Sequence, residues 1–482
     1  MNKVFRLLPV CALVLAAAGC TLAPKYERPE APVAAQFPQG EAYKDVATTE
    51  AALPYWKDFF TNEKVRKLIE LGLENNRDMR VAVLNVEKAR AAYGIQRSEL
   101  MPTVNAGFTE QHQRTPESLS QTGRTVTSHT YQANLAMASW ELDLFGRVQS
   151  LTESALQSYL ATQEASYAAQ NTIIAAIADA WVNVGAQKEF LRLAEITLKS
   201  QQESYDLMLK SYELGASSQL ELEQAKTTVA SARASLAAYQ RSLAQARNSL
   251  NLLVGCEVPA ELEPESIEAV TSIAAVAPSN LSSEVLLNRP DIRQAENLLK
   301  AANANIGAAR ANFFPRIALT GSIGTGSPDL GDLFDHGTGL WTFVPTVTLP
   351  IFTGGANISR LRQAESDEQI AVAQYEKAVQ TAFTEVADAL ATTGTVQHQR
   401  DALFDLMTAT EKAYELSESR YKNGLDGFLT VLESQRQMVS AQTSYIASEQ
   451  ARISSIVLLY KVLGGGSLTE PAQREESAHA AS

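Results

Sequence analysis

The sequence predicts an α+β membrane protein with an internal tandem repeat, in which β-strands and very long coiled-coil helices alternate. Three observations support this fold class. Similar phrases recur about 210 residues apart, four segments alternate polar and apolar residues as strands do, and two proline-free segments of ~67 residues have helical character. These patterns also predict the elements that build each half of the chain.

The N-terminal segment has the order of a secretory signal, with two basic residues, then an apolar run, then small residues. Its ending, AAAGC, predicts removal of residues 1–19 and lipidation of Cys20; a plain signal peptide cleaved nearby is the alternative. Residues 20–61 would then form a lipidated N-terminal extension. Cys256 is the one cysteine left after lipidation, so no intrachain disulfide is expected.

The composition argues against several classes of function. A formal net charge of −13 does not suit nucleic-acid binding, which requires a basic surface. No nucleotide-binding motif is present and the histidines show no metal-ligand spacing, so neither an enzyme nor a metal or other cofactor is expected. The histidines are His112, His129, His336, His398 and His479.

The repeat is defined by two pairs of phrases. SYELGASSQLELEQ at 211–224 and RYKNGLDGFLTVLE at 420–433 share a tyrosine, a glycine and a leucine in register. A second pair, 77–102 and 290–315, shares aspartate, arginine, alanine and glycine positions and the proline at its end. Because the matches extend through both halves, we interpret them as a tandem duplication.

The duplication divides the chain into segments. The first structural repeat is expected over 62–256 and the second over 282–466, with a linker at 257–281 between them. Residues 467–482 are mostly polar and small and follow a run of glycines, so we expect a flexible C-terminal tail there.

Each half is predicted to contain the same five elements: a helix, two strands, a long helix and a shorter returning helix. Alternating polarity places the strands at about 103–112, 130–145, 316–326 and 340–352. The helices are expected at about 62–100, 147–213 and 219–253 in the first half and at 282–313, 356–422 and 428–463 in the second. Apolar residues spaced by three and four indicate that each long helix and its returning helix form a coiled-coil hairpin.

The four predicted strands are long enough to cross a bilayer, which takes ~9–11 tilted residues. An open sheet cannot span lipid, because its edge groups would lack hydrogen-bond partners, so the strands must close with copies of themselves. Three copies give about twelve strands, enough for an open lumen, and the helices would continue this barrel as a tube. The alternative is a soluble secreted protein whose small sheet packs against a coiled coil.

Five segments, spread over most of the mature chain, carry a resemblance to a known family. They are WELDLFGR (140–147), RPDIRQAENLLKAANANIGAARANFFPRIALTGSIG (289–324), LPIFTGG (349–355), AQYEKAVQTAFTEVADAL (373–390) and RYKNGLDGFLTVLESQR (420–436). With these segments and the lipidated N-terminus, the sequence resembles the outer-membrane factor family of the OprM and TolC type. It is similar to the lipoprotein branch of that family, which serves multidrug efflux pumps.

The resemblance implies a homotrimer in the lipid of the bacterial outer membrane, lipid-anchored and mostly periplasmic. Its fold would be a trimeric 12-stranded transmembrane β-barrel, with four strands per protomer, continued by a long α-helical coiled-coil periplasmic tunnel. Such proteins are the passive exit duct of a tripartite multidrug efflux system and contribute to antibiotic resistance. Drugs and other small molecules reach them from a periplasmic adaptor (membrane fusion) protein and an inner-membrane pump of the resistance-nodulation-division (RND) class. Protein or metal-ion export by the same fold, and a lipid-anchored coiled-coil scaffold without a pore, are the alternatives.

The resemblance also implies a channel gate, or constriction, close to the second Tyr-x-x-Gly phrase. Leu429 matches the apolar ring residue of the lipoprotein branch. Glu433 matches the acidic ring residue, which is usually aspartate in the family. The two residues are one helical turn apart, so both can face the same lumen.

The tips of the helical hairpins carry the remaining predicted site residues. Gly215 and Gly424 are the glycines of the two hairpin turns. Arg420 and Tyr421 match the positions that lock the tip in the family, and Glu221 is the expected carboxylate partner of Arg420. An adaptor could open such a lock readily, because an exposed ion pair contributes only ~0–1 kcal/mol.

Overall fold

The structure is a computed structural model that describes residues 21–43, 54–270 and 282–466. The predicted signal segment, the lipidation site Cys20 and the predicted tail 467–482 lie outside the described residues. Within the described ranges, no helix combines the length and the apolar character that crossing a membrane requires.

The described elements follow one order in both halves: helical segment, strand, strand, long helix, returning helix. The α-helices are α1 (Trp56–Phe59), α2 (Glu63–Asn75), α3 (Arg77–Ser98), α4 (Arg147–Glu213), α5 (Gln219–Val254), α6 (Pro290–Ala311), α7 (Ala356–Lys422) and α8 (Phe428–Val462). The strands are β1 (Val104–Thr115), β2 (Val126–Leu142), β3 (Arg316–Ser327) and β4 (Gly339–Thr348). The long helices α4 and α7 each contain 67 residues.

The chain divides into two compact units, and each unit takes segments from both halves of the sequence. The sheet unit contains the described residues up to Glu30 together with Asn85–Gln163 and Gln294–Glu376. The helical unit contains Ala31–Leu84, Glu164–Arg293 and the described residues from Lys377 onward. All four strands belong to the sheet unit, and both hairpin turns belong to the helical unit.

The opening helix of the first half differs from the single helix predicted over about 62–100. It is divided at Asn76, which lies between α2 and α3. The Asn76 side chain accepts a hydrogen bond from Met79 N (2.9 Å) and donates one to Leu253 O (2.7 Å). The side chain thus caps the start of α3 and binds the last turn of α5. These hydrogen bonds compete with a continuous helix through residue 76, so the helix is interrupted there.

The sheet unit contains one antiparallel sheet with the strand order β1-β2-β3-β4. The register places Ala106 opposite Leu135, Leu135 opposite Ile323, and Ile323 opposite Trp341. Side chains therefore form rows across all four strands. Pro345 lies in β4, an outer strand of this sheet, where its missing N–H group is tolerated.

One face of the sheet is apolar, and the other face is mostly polar. The apolar band consists of Val104, Ala106, Phe108, Ala133, Leu135, Met137, Leu319, Gly321, Ile323, Trp341, Phe343 and Val347. The opposite face carries Asn105, Thr109, Gln132, Asn134, Thr320, Ser322 and Thr342. In the single chain most large side chains of the apolar band are exposed, Met137 and Leu319 are half-buried, and Trp341 keeps 75% of its surface accessible.

The largest buried side chains of the helical unit are aromatic. Phe59 stacks on Tyr460 with ring centroids 4.2 Å apart, and Phe60 meets the same ring edge-on at 5.5 Å. Trp181 of α4 is buried and donates its indole N–H to Leu262 O at 2.8 Å. Because Phe59 and Tyr460 come from opposite ends of the sequence, this core holds the two halves together.

Gly255 provides a test of the packing between α2 and α5. Its φ is 82°, and a Cβ atom added there would lie 2.4 Å from Asn75 O. We expect Gly255→Ala to lower the free energy of unfolding by ~2 kcal/mol or more. Alanine would be strained in this left-handed backbone conformation, and its Cβ would also clash with the backbone of Asn75.

The matched control is Gly215→Ala, because Gly215 has a φ of 72° but its added Cβ would meet nothing within 4 Å. This substitution should lower the free energy of unfolding by only ~1 kcal/mol. Thermal loss of the helical circular dichroism signal compares the two variants. Equal melting temperatures would contradict the close packing at Gly255.

Candidate site at the helix hairpin tips

The two hairpin turns have the same backbone geometry. Gly215 and Gly424 adopt left-handed φ angles of 72° and 71°. Their N–H groups donate to Tyr212 O at 2.9 Å and to Tyr421 O at 2.8 Å. In each turn the next N–H donates to the carbonyl five residues back, at 2.8 Å and 3.0 Å. This is the Schellman arrangement, which ends a helix and requires a residue that tolerates positive φ.

The returning helices begin differently at the two tips. At the first tip, residues 211–221, Ser218 and Glu221 form a capping box: Glu221 N donates to Ser218 Oγ (3.3 Å) and Ser218 N donates to Glu221 Oε2 (2.7 Å). At the second tip, residues 420–433, Gly427 precedes α8 without a side chain that could cap it. The N–H of Ser218 holds the pKa of the Glu221 carboxyl below its usual range. Glu221 is thus kept charged by its own tip.

Arg420 pairs with Asp426 and not with the predicted partner Glu221. Its guanidinium donates from Nε to Asp426 Oδ2 at 2.5 Å and from Nη2 to Asp426 Oδ1 at 3.0 Å. The cause is local, because the left-handed Gly424 turns the chain back and brings Asp426 beside the last turn of α7. The hydrogen bond from Arg420 holds the pKa of the Asp426 carboxyl below its ordinary value of 3.8.

Tyr421 belongs to a buried group of side chains, the hairpin cluster. The cluster consists of Met208, Ala225, Phe428 and Val431, with Tyr205, Leu222, Tyr414, Tyr421 and Leu432 packed against them. The rings of Tyr421 and Phe428 lie 5.4 Å apart. Burial, followed by the negative charge of Glu221, raises the pKa of the Tyr421 phenol. Because its members come from α4, α5, α7 and α8, the cluster fastens the two hairpins to each other.

Leu429 and Glu433 line one cavity of about 430 Å³, which also contains residues of α4 and α5. Leu429 is 63% exposed, so its side chain is available to this space. Glu433 accepts hydrogen bonds from Arg436 and from Gln437 Nε2 (3.1 Å). The cavity therefore combines an apolar side chain, a carboxylate and a guanidinium within two turns of α8.

The site contains two functional candidates that the sequence analysis missed. Arg436 lies three residues after Glu433, a spacing typical of ion pairs on a helix, so its contact could have been predicted. Asp426 had no such signal, because its contact with Arg420 depends on the conformation of Gly424. Among the described residues, no group of three or more His, Cys, Asp or Glu side chains is placed to hold a metal ion.

The chain matches a known protein family over more than half of its length. The family model described as outer membrane efflux protein matches residues 68–256 and 281–465. The chain belongs to this family. The efflux protein is accordingly located in the outer membrane, and transport out of the cell is its class of function.

Curated relatives match this efflux protein over nearly its whole length. It is 45% identical over 480 residues to the antibiotic efflux pump outer membrane protein ArpC of Pseudomonas putida, with 99% of each chain covered. It is equally identical, over the same length and coverage, to the toluene efflux pump outer membrane protein TtgC of the same species. Outer membrane protein OprJ of Pseudomonas aeruginosa is 40% identical over 454 residues and covers 94% of each chain.

Solved structures of membrane proteins have a fold similar to that of this chain. A membrane protein from Pseudomonas aeruginosa matches with a TM-score of 0.87 and 40% identity, covering 92% of this efflux protein and 100% of that chain. The outer membrane channel MtrE of Neisseria gonorrhoeae, solved in its open state, matches with a TM-score of 0.83 and 39% identity. The coverage is 93% of this efflux protein and 98% of MtrE.

The different starts of α5 and α8 predict opposite effects of two substitutions. Ser218→Ala removes the N-cap of α5 and should lower the local opening free energy of its first turn by ~1 kcal/mol. Gly427→Ser adds a cap to α8 and should raise the corresponding value by a few tenths of a kcal/mol. The φ of −77° at Gly427 suits serine. Hydrogen exchange of the two tips measures both effects, and faster exchange in both variants would contradict this account of the caps.

Proposed function

We propose that the protein is the exit duct of a tripartite multidrug efflux system. In this proposal three copies form a twelve-stranded transmembrane barrel, which the coiled-coil helices continue as a periplasmic tunnel. Drugs and other small molecules pass through it passively to the exterior. The relatives named as antibiotic and toluene efflux pump outer membrane proteins support this assignment.

The proposal depends mainly on the unpaired edges of the two outer strands. Of the four described strands, β1 pairs only with β2, and β4 pairs only with β3. Each outer strand is exposed along almost its whole length. Pairing β1 of one copy with β4 of the next would satisfy both edges, and three copies would close the ring.

The two faces of the sheet support a barrel in lipid. An apolar face exposed in the single chain is suited to acyl chains, and a polar opposite face is suited to a water-filled lumen. About twelve strands are enough to leave an open interior, whereas about eight are normally filled by side chains.

The N-terminal contacts support the proposed lipid anchor on Cys20. Thr21 Oγ1 lies 3.1 Å from Ser150 Oγ, and Arg28 donates to both carboxylate oxygens of Glu296, at 2.9 Å and 3.0 Å. All of these residues belong to the sheet unit. A lipid on the preceding residue would therefore be attached beside the unit that carries the proposed membrane strands.

The proposed partners supply what a passive duct lacks. An inner-membrane RND pump would provide the energy, and a periplasmic adaptor protein would connect that pump to the hairpin tips. We assign the duct no catalytic step, since conduction through a pore makes and breaks no covalent bond. No role is assigned to nucleic acid, because the formal net charge is −13.

The tips are proposed to form the gate at the periplasmic end. Leu429 and Glu433 of α8 would form the constriction, since both line the same cavity between α4, α5 and α8. Arg420 would hold the second tip closed through Asp426, and Tyr421 would hold it through the hairpin cluster. Glu221 would contribute through the capping box of the first tip and through its charge near Tyr421.

A charge on the apolar band tests the barrel. Phe343→Lys places a cation on the proposed lipid face, where it should cost ~2–4 kcal/mol near the bilayer centre and reduce insertion. Val344→Lys is the matched control, because Val344 is the next residue on β4 and points to the proposed lumen. Urea extraction of outer membranes measures the inserted fraction of each variant. Equal extraction of the two variants would contradict the assignment of faces.

Single-channel conductance in planar bilayers tests the duct and its gate together. The wild-type protein should conduct, and Arg420→Ser and Asp426→Asn should both raise the conductance, because each breaks the pair across the second turn. Lys422→Ser is the control: Lys422 pairs with Glu418 one turn earlier on α7 (3.0 Å), so this variant should leave conductance unchanged. Absence of any conducting channel would contradict the proposed duct. Unchanged conductance in both pair variants would contradict only the proposed gate.

The same pair predicts a pH dependence. The pKa of Asp426 is lowered by Arg420, so the pair is complete above the ordinary value of 3.8 and is lost only as pH falls through the lower, folded-state pKa. Wild-type conductance should therefore rise at strongly acid pH towards the level of Asp426→Asn. The variant itself should not respond in that pH range, and a matching response in the variant would place the titrating group elsewhere.

A further inference from the structure

Two histidines that are 17 residues apart in sequence meet at the loop end of the first strand pair. His112 of β1 lies directly opposite His129 of β2 in the register. Their ring centroids are 4.3 Å apart at an angle of 84°, and the Nδ1 atoms of the two rings are in contact. The spacing of the histidines in the sequence does not show this pair, because a cross-strand pair is visible only once the register is known.

A carboxylate holds the far side of one ring. Glu110 Oε1 lies 2.6 Å from His112 Nε2, two residues back on the same face of β1. A carboxylate can only accept here, so Nε2 of His112 is the donor, and in the neutral form of that ring the lone pair is on Nδ1, which faces His129. This matches the carboxylate–histidine–metal arrangement. There, one ring nitrogen binds the metal, and the other donates a hydrogen bond to a carboxylate that orients the ring.

We propose that His112 and His129 form a two-ligand site for a borderline divalent cation such as Zn²⁺, Ni²⁺ or Cu²⁺. Nδ1 of His112 binds the ion in the tautomer whose hydrogen is on Nε2, and Nδ1 of His129 does so when its ring hydrogen moves to Nε2, so both nitrogens can bind one ion. Imidazole pairs select these ions over Mg²⁺ and Ca²⁺, which prefer oxygen ligands. Glu110 acts as the positioning residue.

The surroundings fit a solvent-accessible ion. The side chains of His112 and Glu110 retain 50% and 46% of their surface, so water can complete the coordination. Tyr131 lies opposite Glu110 and its ring is 6.3 Å from that of His112, which encloses one side of the site. Arg114 follows on the same face of β1, and the charge of Glu110 offsets its repulsion of a cation.

The position predicts what the ion would do. The pair lies four residues beyond Phe108, the last member of the apolar band on β1, which is roughly 14 Å at ~3.4 Å per residue. It is also close to the connection between β1 and β2. A bound ion would therefore join the two strands at their loop end, outside the apolar band. The inference rests on the β1–β2 register and is independent of the proposed duct.

Isothermal titration of the purified full-length chain with ZnCl₂ and NiCl₂ tests the site, in detergent and without a polyhistidine tag. The wild-type protein should bind one ion per chain, and excess MgCl₂ should not compete. His112→Ala and His129→Ala should each weaken binding by at least ~10-fold, and Glu110→Gln should weaken it by ~10-fold.

His336→Ala is the matched control, because it removes another exposed histidine from a strand connection and should bind as the wild type does. Circular dichroism shows whether each variant is folded, and Glu110→Gln keeps both rings if an alanine variant is not. Equal binding by His112→Ala and His336→Ala, or a wild type with no saturable binding, would overturn the proposal.

Discussion

The backbone edges of β1 and β4 are the constraint on which the proposed assembly depends. In the part of the chain that the structure describes, each of these strands pairs on one side only. A row of N–H and C=O groups is therefore left on each outer strand, and lipid offers such groups no partner. Another copy of the same chain can supply the missing hydrogen-bond partners. The exposed apolar band adds to this constraint, since Trp341 and Phe343 need lipid or protein to cover them.

The hairpin tips show how a rigid support can be combined with a weak contact. The hairpin cluster is buried and ties four helices together, so the tips keep their shape. The pair between Arg420 and Asp426 is exposed, and such pairs contribute little to stability. A docking partner could therefore break that pair without unfolding the hairpin. This division of roles supports the proposed gate, which would open on contact and close again.

Much of this fold was predictable because its signals are periodic. Strand alternation, heptad spacing and the Tyr-x-x-Gly turns are local patterns, and each long helix of 67 residues repeats its pattern many times. Contacts made by single side chains were harder to predict. The break at Asn76 depends on a distant carbonyl, the partner of Arg420 depends on the conformation of a glycine, and the pairing of His112 with His129 depends on register.

The number of chains in one particle shows whether three copies close the sheet into a ring. Native mass spectrometry of the protein extracted from outer membranes in mild detergent measures that number without crosslinking or substitution. We expect particles of three chains, because three copies supply about twelve strands and leave no sheet edge unpaired. Particles of one or two chains that still conduct ions in bilayers would contradict it.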